Sequence, residues 1–106
     1  MNDLSNNVRF SYLYRDAGNY KKYGEVIFTN PEAIDIDNIK QRITSKLIDG
    51  EFFIPKEWEI DPLAIDNCFS EMDHEWHEFV DISLTITSAK EDQSISNLLR
   101  LLENNQ

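Results

Sequence analysis

The sequence lacks the cysteine pairs that stabilise many small proteins and the long apolar segments that cross membranes. It has one cysteine, Cys68, so no disulfide can form within the chain, and a lone reduced thiol fits a cytoplasmic location. Three glycines and three prolines in 106 residues exclude a collagen-like or low-complexity chain. No apolar run is long enough for a membrane span or a signal sequence. We therefore expect one cytoplasmic domain.

Familiar catalytic motifs are also missing. The sequence has no glycine-rich phosphate loop, no G-x-S-x-G motif and no paired-cysteine motif. Cys68 lies in an acidic stretch, where nearby carboxylates disfavour the thiolate that a nucleophile needs. These absences favour a non-enzymatic protein that uses no cofactor.

Basic residues are absent from one long stretch of the chain. Residues 1–56 carry eight basic and eight acidic residues, so the formal charge of −10 arises after residue 56. Residues 57–81 contain nine carboxylates and no Lys or Arg. Such a field repels phosphates and anionic lipids, which disfavours direct nucleic-acid or membrane binding. It favours a basic protein partner, although charged runs also serve solubility alone.

Alternating apolar residues predict a first strand over residues 8–15. The side chains expected on its buried face are Val8, Phe10, Tyr12 and Tyr14. A second strand is predicted over residues 23–29, after a turn at residues 16–19. Because this connection is too short for a crossover helix, we expect the two strands to be antiparallel.

The apolar period changes from two to about four after residue 37. The recurring residues are Ile39, Ile43 and Leu47, and they predict an amphipathic helix over residues 37–47. Asp35 or Asp37 is expected to cap its start, and Gly50 to close its end in the left-handed conformation.

Proline marks the next boundaries. A short strand is predicted over residues 52–54, because Pro55 cannot donate to a ladder. Residues 56–73 show no sustained period and are predicted to form an ordered loop with one helical turn after Pro62. A stripe of large aliphatic residues predicts a final helix over residues 91–103.

The clearest alternation in the chain predicts a last strand. The residues expected to face the core are Val80, Ile82, Leu84 and Ile86. Extending this register backwards places Trp76 and Glu78 on the core side and His77 and Phe79 on the outside. An inward Glu78 needs a partner, since an unpaired buried carboxylate is costly.

Arg15, at the end of the first strand, or the hydroxyl of Tyr12 or Tyr14 supplies that partner if the last strand lies beside the first. We therefore expect this adjacency. It brings the hairpin tip at residues 15–22 against the string DHEWHEF at residues 73–79. Their junction is the best candidate for a functional surface.

Together these elements predict an α+β fold with the order β-β-α-β-loop-β-α. We expect a mostly antiparallel sheet of about four strands, covered on one face by two helices. Residues 1–7 are predicted to form a flexible N-terminus, and residues 8–104 a single domain.

Both histidines lie in the DHEWHEF string, which raises the alternative of a metal-binding module or a metal-dependent enzyme. The candidate ligands are Asp73, His74 and His77. Their spacing argues against a site, because on a strand His74 and His77 point to opposite faces. We therefore expect no metal.

Three strings carry a resemblance to a known family: YLYRDAGNYKKYGEVIFTNP (12–31), LIDGEFFIP (47–55) and DHEWHEF (73–79). The sequence resembles a family of small bacterial proteins of unknown function, in which a YRD-x-x-NYK hairpin accompanies a DHEWHEF-like acidic string. The resemblance implies that the hairpin tip and the acidic string share one surface, and it implies no activity.

The leading hypothesis is a non-enzymatic protein-interaction domain of the immunity, antitoxin or inhibitor kind that binds a basic protein. A sharper version makes the acidic stretch a mimic of nucleic-acid phosphates. A monomer and a homodimer are both compatible with the sequence. The candidate partner-binding residues are Arg15, Asp16, Asn19, Tyr20, Lys21, Glu57, Glu59, Glu71, Asp73, Glu75 and Trp76.

Overall fold

The computed structural model describes residues 7–15, 20–61, 63, 76–89 and 93–104. These residues form an α+β domain, as the sequence predicts. Its elements are β1 (Asn7–Arg15), β2 (Lys21–Phe28), α1 (Ile36–Thr44), β3 (Phe52–Phe53), α2 (Pro55–Trp58), β4 (His77–Thr85) and α3 (Ile95–Asn104). Within them, no helix combines the length and the apolar character that a membrane crossing requires.

The four strands form one antiparallel sheet in the order β2-β1-β4-β3. The last strand therefore lies beside the first, as predicted. Asn7 already belongs to β1, one residue earlier than expected, and residues 1–6 lie outside the described part of the chain.

Three helices are seen among these residues where two were expected. The additional helix is α2, which begins at Pro55 because proline suits the first turn of a helix, where no donor is needed. The expected turn after Pro62 lies outside the described residues.

The core lies between one face of the sheet and the helices. Phe10 is fully buried on that face. Its ring lies 5.4 to 6.5 Å, centroid to centroid, from those of Tyr12, Phe28, Phe53, Trp58 and Phe79. The helices contribute the buried side chains Ile39, Ile43, Ile95, Leu98, Leu99 and Leu102. The apolar stripes of the two longer helices are therefore core, as their periodicity predicts.

Helix α1 ends earlier than its apolar pattern suggests. The Asp35 carboxylate accepts a hydrogen bond from the Asp37 N–H and caps the start, as expected. The end lies at Ser45 in an ordinary right-handed conformation, so the expectation that Gly50 closes the helix is wrong. Gly50 does adopt a positive φ of 73°, in the turn that leads into β3.

A bulge in β4 reverses the faces predicted for its first residues. Ser11 pairs with Asp81, but Tyr12 pairs with Phe79, so Val80 is an extra residue without an opposite partner on β1. Because side chains alternate with a period of two, one inserted residue moves every residue before it to the other face. The prediction of an inward Trp76 and Glu78 with an outward His77 and Phe79 is therefore wrong.

Beyond the bulge the predicted inward face of β4 holds only in part. Ile82 is buried opposite Phe10. Leu84 is half exposed, and Ile86 lies past the end of β4 and is largely exposed. The alternation of the sequence therefore continues beyond the area that the helices cover.

Two ion pairs connect α1 with α3 and β4. The Arg42 guanidinium makes two hydrogen bonds to the Glu103 carboxylate on α3, at 2.6 and 2.8 Å. Lys40 Nζ lies 3.3 Å from Asp81 Oδ1 on β4. The hydrogen bond from Arg42 lowers the pKa of Glu103, and the pKa of Asp81 is lowered chiefly by the backbone N–H of Ile82 and then by Lys40.

These shifts predict a loss of stability in acid. Both carboxyl groups have a lower pKa in the folded than in the unfolded chain, so their contribution is present at neutral pH. It is lost as the pH falls below their ordinary values of 4.5 and 3.8. We expect Glu103→Gln to flatten this fall, measured as the urea midpoint against pH. Glu57→Gln, at an exposed carboxylate on α2, is the matched control, and equal slopes for the two variants would contradict the prediction.

Candidate partner-binding surface

The predicted pair between Arg15 and Glu78 is present and joins β1 to β4. Arg15 Nε donates to Glu78 Oε2 at 2.8 Å, and Nη2 donates to Oε1 at 3.2 Å. This bidentate geometry is the strongest form of such a pair, and the hydrogen bond to Glu78 raises the pKa of Arg15. Because of the bulge, the pair lies on the sheet face opposite the helices and is half-buried rather than in the core.

Trp76 lies on the same side of the chain as Glu78, two residues before it. Its side chain is 39% exposed, and its ring lies 5.4 Å from that of Phe52 on β3. Tryptophan and arginine are among the residue types most enriched where binding energy concentrates in protein interfaces. The sequence singled out Trp76 but missed Phe52. Phe52 on β3 pairs with Glu78 on β4, and this pairing places Phe52 on the same face as Glu78 and Trp76.

The opposite side of this face is formed by β2. Tyr23 pairs with Leu13 of β1 and is 65% exposed. Lys21 pairs with Arg15 and is exposed, as is Tyr20 just before the strand. We call the residues Arg15, Tyr23, Phe52, Trp76 and Glu78 the open sheet face. The buried helix residues of the core cluster lie on the other face, and Leu13, which pairs with both Tyr23 and Glu78 on this face, is itself buried.

The candidate residues separate into three groups. Arg15, Lys21 and Trp76 belong to or border the open sheet face, together with Tyr20. Glu57 and Glu59 are exposed on α2 and at its end, on the helical side of the sheet. The remaining candidates lie outside the described residues; they are Asp16, Asn19, Glu71, Asp73 and Glu75.

His77 has a structural role in place of the surface position predicted for it. Its side chain is fully buried, and its Nε2 accepts a hydrogen bond from the Leu63 N–H at 2.9 Å. The ring packs 5.0 Å from that of Tyr14. A metal ion on Nε2 would displace the hydrogen bond from Leu63. The other two proposed ligands, Asp73 and His74, lie outside the described residues, within which no group of three potential ligands is found.

A second feature is an open cavity of about 260 Å³ beside the outer edge of β2, lined by Glu25, Glu59 and Asp61 among others. Glu59 ends α2 in the left-handed conformation, with a φ of 57°. This turn buries Ile60 and leaves the flanking carboxylates exposed. The Tyr12 hydroxyl holds the segment by donating to the Asp61 carbonyl at 2.7 Å, and burial raises the pKa of that hydroxyl.

Comparisons with known proteins add no relative. No protein-family model, no curated protein and no solved structure matches this chain. The resemblance to the YRD-x-x-NYK family therefore stays a prediction.

Proposed function

We propose that this chain is a non-enzymatic protein-interaction domain of the immunity, antitoxin or inhibitor kind, which binds a basic protein partner through the open sheet face. The observation that carries the proposal is the position of Trp76. It is a large aromatic residue, partly exposed and supported by Phe52, next to a bidentate Arg15–Glu78 pair.

The charge of the chain supports a basic partner. The formal charge is −10, and a field of one sign steers an oppositely charged protein towards the surface. Within the described part of the chain, exposed carboxylates include Glu57, Glu59 and Asp61. The sharper version of the proposal uses a different surface, because Glu57 and Glu59 lie on the helical side of the sheet. In it, these residues and the acidic residues that follow imitate nucleic-acid phosphates.

The experiment captures a partner with tagged protein and then tests the surface. Tagged wild-type chain is recovered from cells that naturally make it, at low and moderate salt, and the bound protein is purified. Its affinity is then measured by calorimetry for wild type, Trp76→Ala and Ile86→Ala. Ile86 is the control, because it is 72% exposed and lies away from the open sheet face.

We expect a stoichiometric basic protein, bound about 10-fold or more weakly by Trp76→Ala and unchanged by Ile86→Ala. Recovery of no stoichiometric protein at either salt concentration would contradict the proposal, as would unchanged affinity for folded Trp76→Ala. The mimic version is tested separately with Glu57→Gln and Glu59→Gln, and unchanged affinity for this pair would exclude it.

A further inference from the structure

Strand β2 lies at one end of the sheet, and its outer backbone groups have a known direction. The N–H of Thr29, just after β2, donates to Gln93 O at 2.8 Å, and its carbonyl accepts from the Ile95 N–H at 2.9 Å. Both groups therefore point away from β1. Because backbone groups alternate sides along a strand, those of Lys21, Tyr23 and Glu25 point the same way. In the described part of the chain, no strand pairs with them.

The side chains of the same three residues form a self-complementary pattern. They lie on the same face of the sheet as their pairing partners on β1, which are Arg15, Leu13 and Ser11, respectively. In order they are basic, aromatic and acidic, and all three are exposed. When such a strand pairs antiparallel with a copy of itself around Tyr23, each Lys21 lies opposite Glu25 of the other copy, and the two tyrosines lie opposite each other.

We propose that the chain forms a two-fold symmetric homodimer in which β2 pairs antiparallel with β2 of a second copy, with Tyr23 on the symmetry axis. Each of the facing pairs then exchanges both of its backbone hydrogen bonds. The tyrosine pair and the opposite-charge pairs each add cross-strand stabilisation.

The register also brings opposite charges together along this edge. Lysine on an edge strand commonly blocks pairing with other strands. Here Lys21 of one copy is brought opposite Glu25 of the other. Glu25 lines the cavity with Glu59 and Asp61 and pairs with Arg9 of its own chain at 3.4 Å, and the added lysine of the second copy favours this one register. Because a short edge strand buries little surface area, we expect the dissociation constant of the dimer to lie in roughly the micromolar range.

Sedimentation velocity on charge variants tests the dimer. Wild type is expected to dimerise with rising concentration. Lys21→Glu and Glu25→Lys each place like charges opposite one another at both ends, and are expected to weaken dimerisation about 10-fold or more. The double variant K21E/E25K exchanges the charges and is expected to restore dimerisation in part, because it also loses the ion pair between Arg9 and Glu25 within each chain. A monomeric wild type at all concentrations, or a double variant no better than the singles, would overturn the proposal.

A cross-link tests the register. In a Cys68→Ser background, Tyr23→Cys places two thiols in directly facing residues, about 5.5 Å apart at Cα, within the range of a disulfide. Lys22→Cys is the control, because its copies are offset along the strand. We expect rapid disulfide dimerisation of Tyr23→Cys alone, and equal rates for the two variants would exclude this register. The proposal does not rest on the proposed function, because its observations concern the edge of β2 and not Trp76. Tyr23 belongs to both surfaces, but the Trp76→Ala affinity measurement and the Tyr23→Cys cross-link fail separately.

Discussion

Replacing Phe10 with alanine is expected to lower the free energy of unfolding by about 3 to 5 kcal/mol. Phe10 is fully buried at the centre of the sheet and lies among five other aromatic rings. Its removal leaves a cavity that strands on both sides cannot close without shifting. The measurement is urea unfolding followed by circular dichroism.

A domain of this size has roughly 5 to 15 kcal/mol of stability, so Phe10→Ala can leave it largely unfolded. Phe10→Leu, which retains most of the apolar volume, keeps the test usable and is expected to cost about 1 to 2 kcal/mol. Ile86→Ala is the matched control, with no expected change, because Ile86 is largely exposed. A Phe10→Ala protein with the stability of the control would show that this ring is not the centre of the core.

The second large effect is expected at His77. His77→Ala removes a fully buried ring and leaves the Leu63 N–H without its acceptor. Together these losses are expected to cost about 3 kcal/mol or more. His77→Phe separates them: it keeps most of the ring packing and loses only the acceptor, at a cost of about 1 to 3 kcal/mol.

Trp76→Ala is the matched control for His77, since the two residues are adjacent and lie on opposite faces. We expect it to cost about 1 kcal/mol or less, because the indole is partly exposed and contacts Phe52 at the surface. If Trp76→Ala lowered the free energy of unfolding more than His77→Ala, the result would contradict the bulge and would place Trp76 in the core.

Much of the fold follows from local patterns. The alternation of Val8, Phe10, Tyr12 and Tyr14 identified a buried strand, and all four side chains are buried. The adjacency of β1 and β4 followed from the need of Glu78 for a cation, and the Arg15 pair is present. The expected inward position of Glu78 is wrong, however, because Glu78 faces outwards. Arg15 at the end of β1 is within reach of Glu78 on that face, so the pairing survives the error.

The bulge could not be found from the pattern alone. Residues 76–80 carry large side chains at nearly every position, so an inward Trp76 and an inward His77 satisfy the period equally well. Pairing across strands decides between them, and that information is not local. By contrast, α2 had a visible signal, because Pro55 followed by Lys, Glu and Trp is a favourable helix start.

Acrylamide quenching of Trp76 fluorescence tests most directly whether this residue is a binding surface. Because the chain has two tryptophans, Trp58→Phe leaves Trp76 as the only emitter, and Trp76→Phe reports on the buried Trp58. We predict that Trp76 is quenched several-fold more strongly than Trp58, and that the captured partner reduces this quenching towards that of Trp58. Equal quenching of the two residues in the free protein, or quenching of Trp76 that the partner leaves unchanged, would contradict the account.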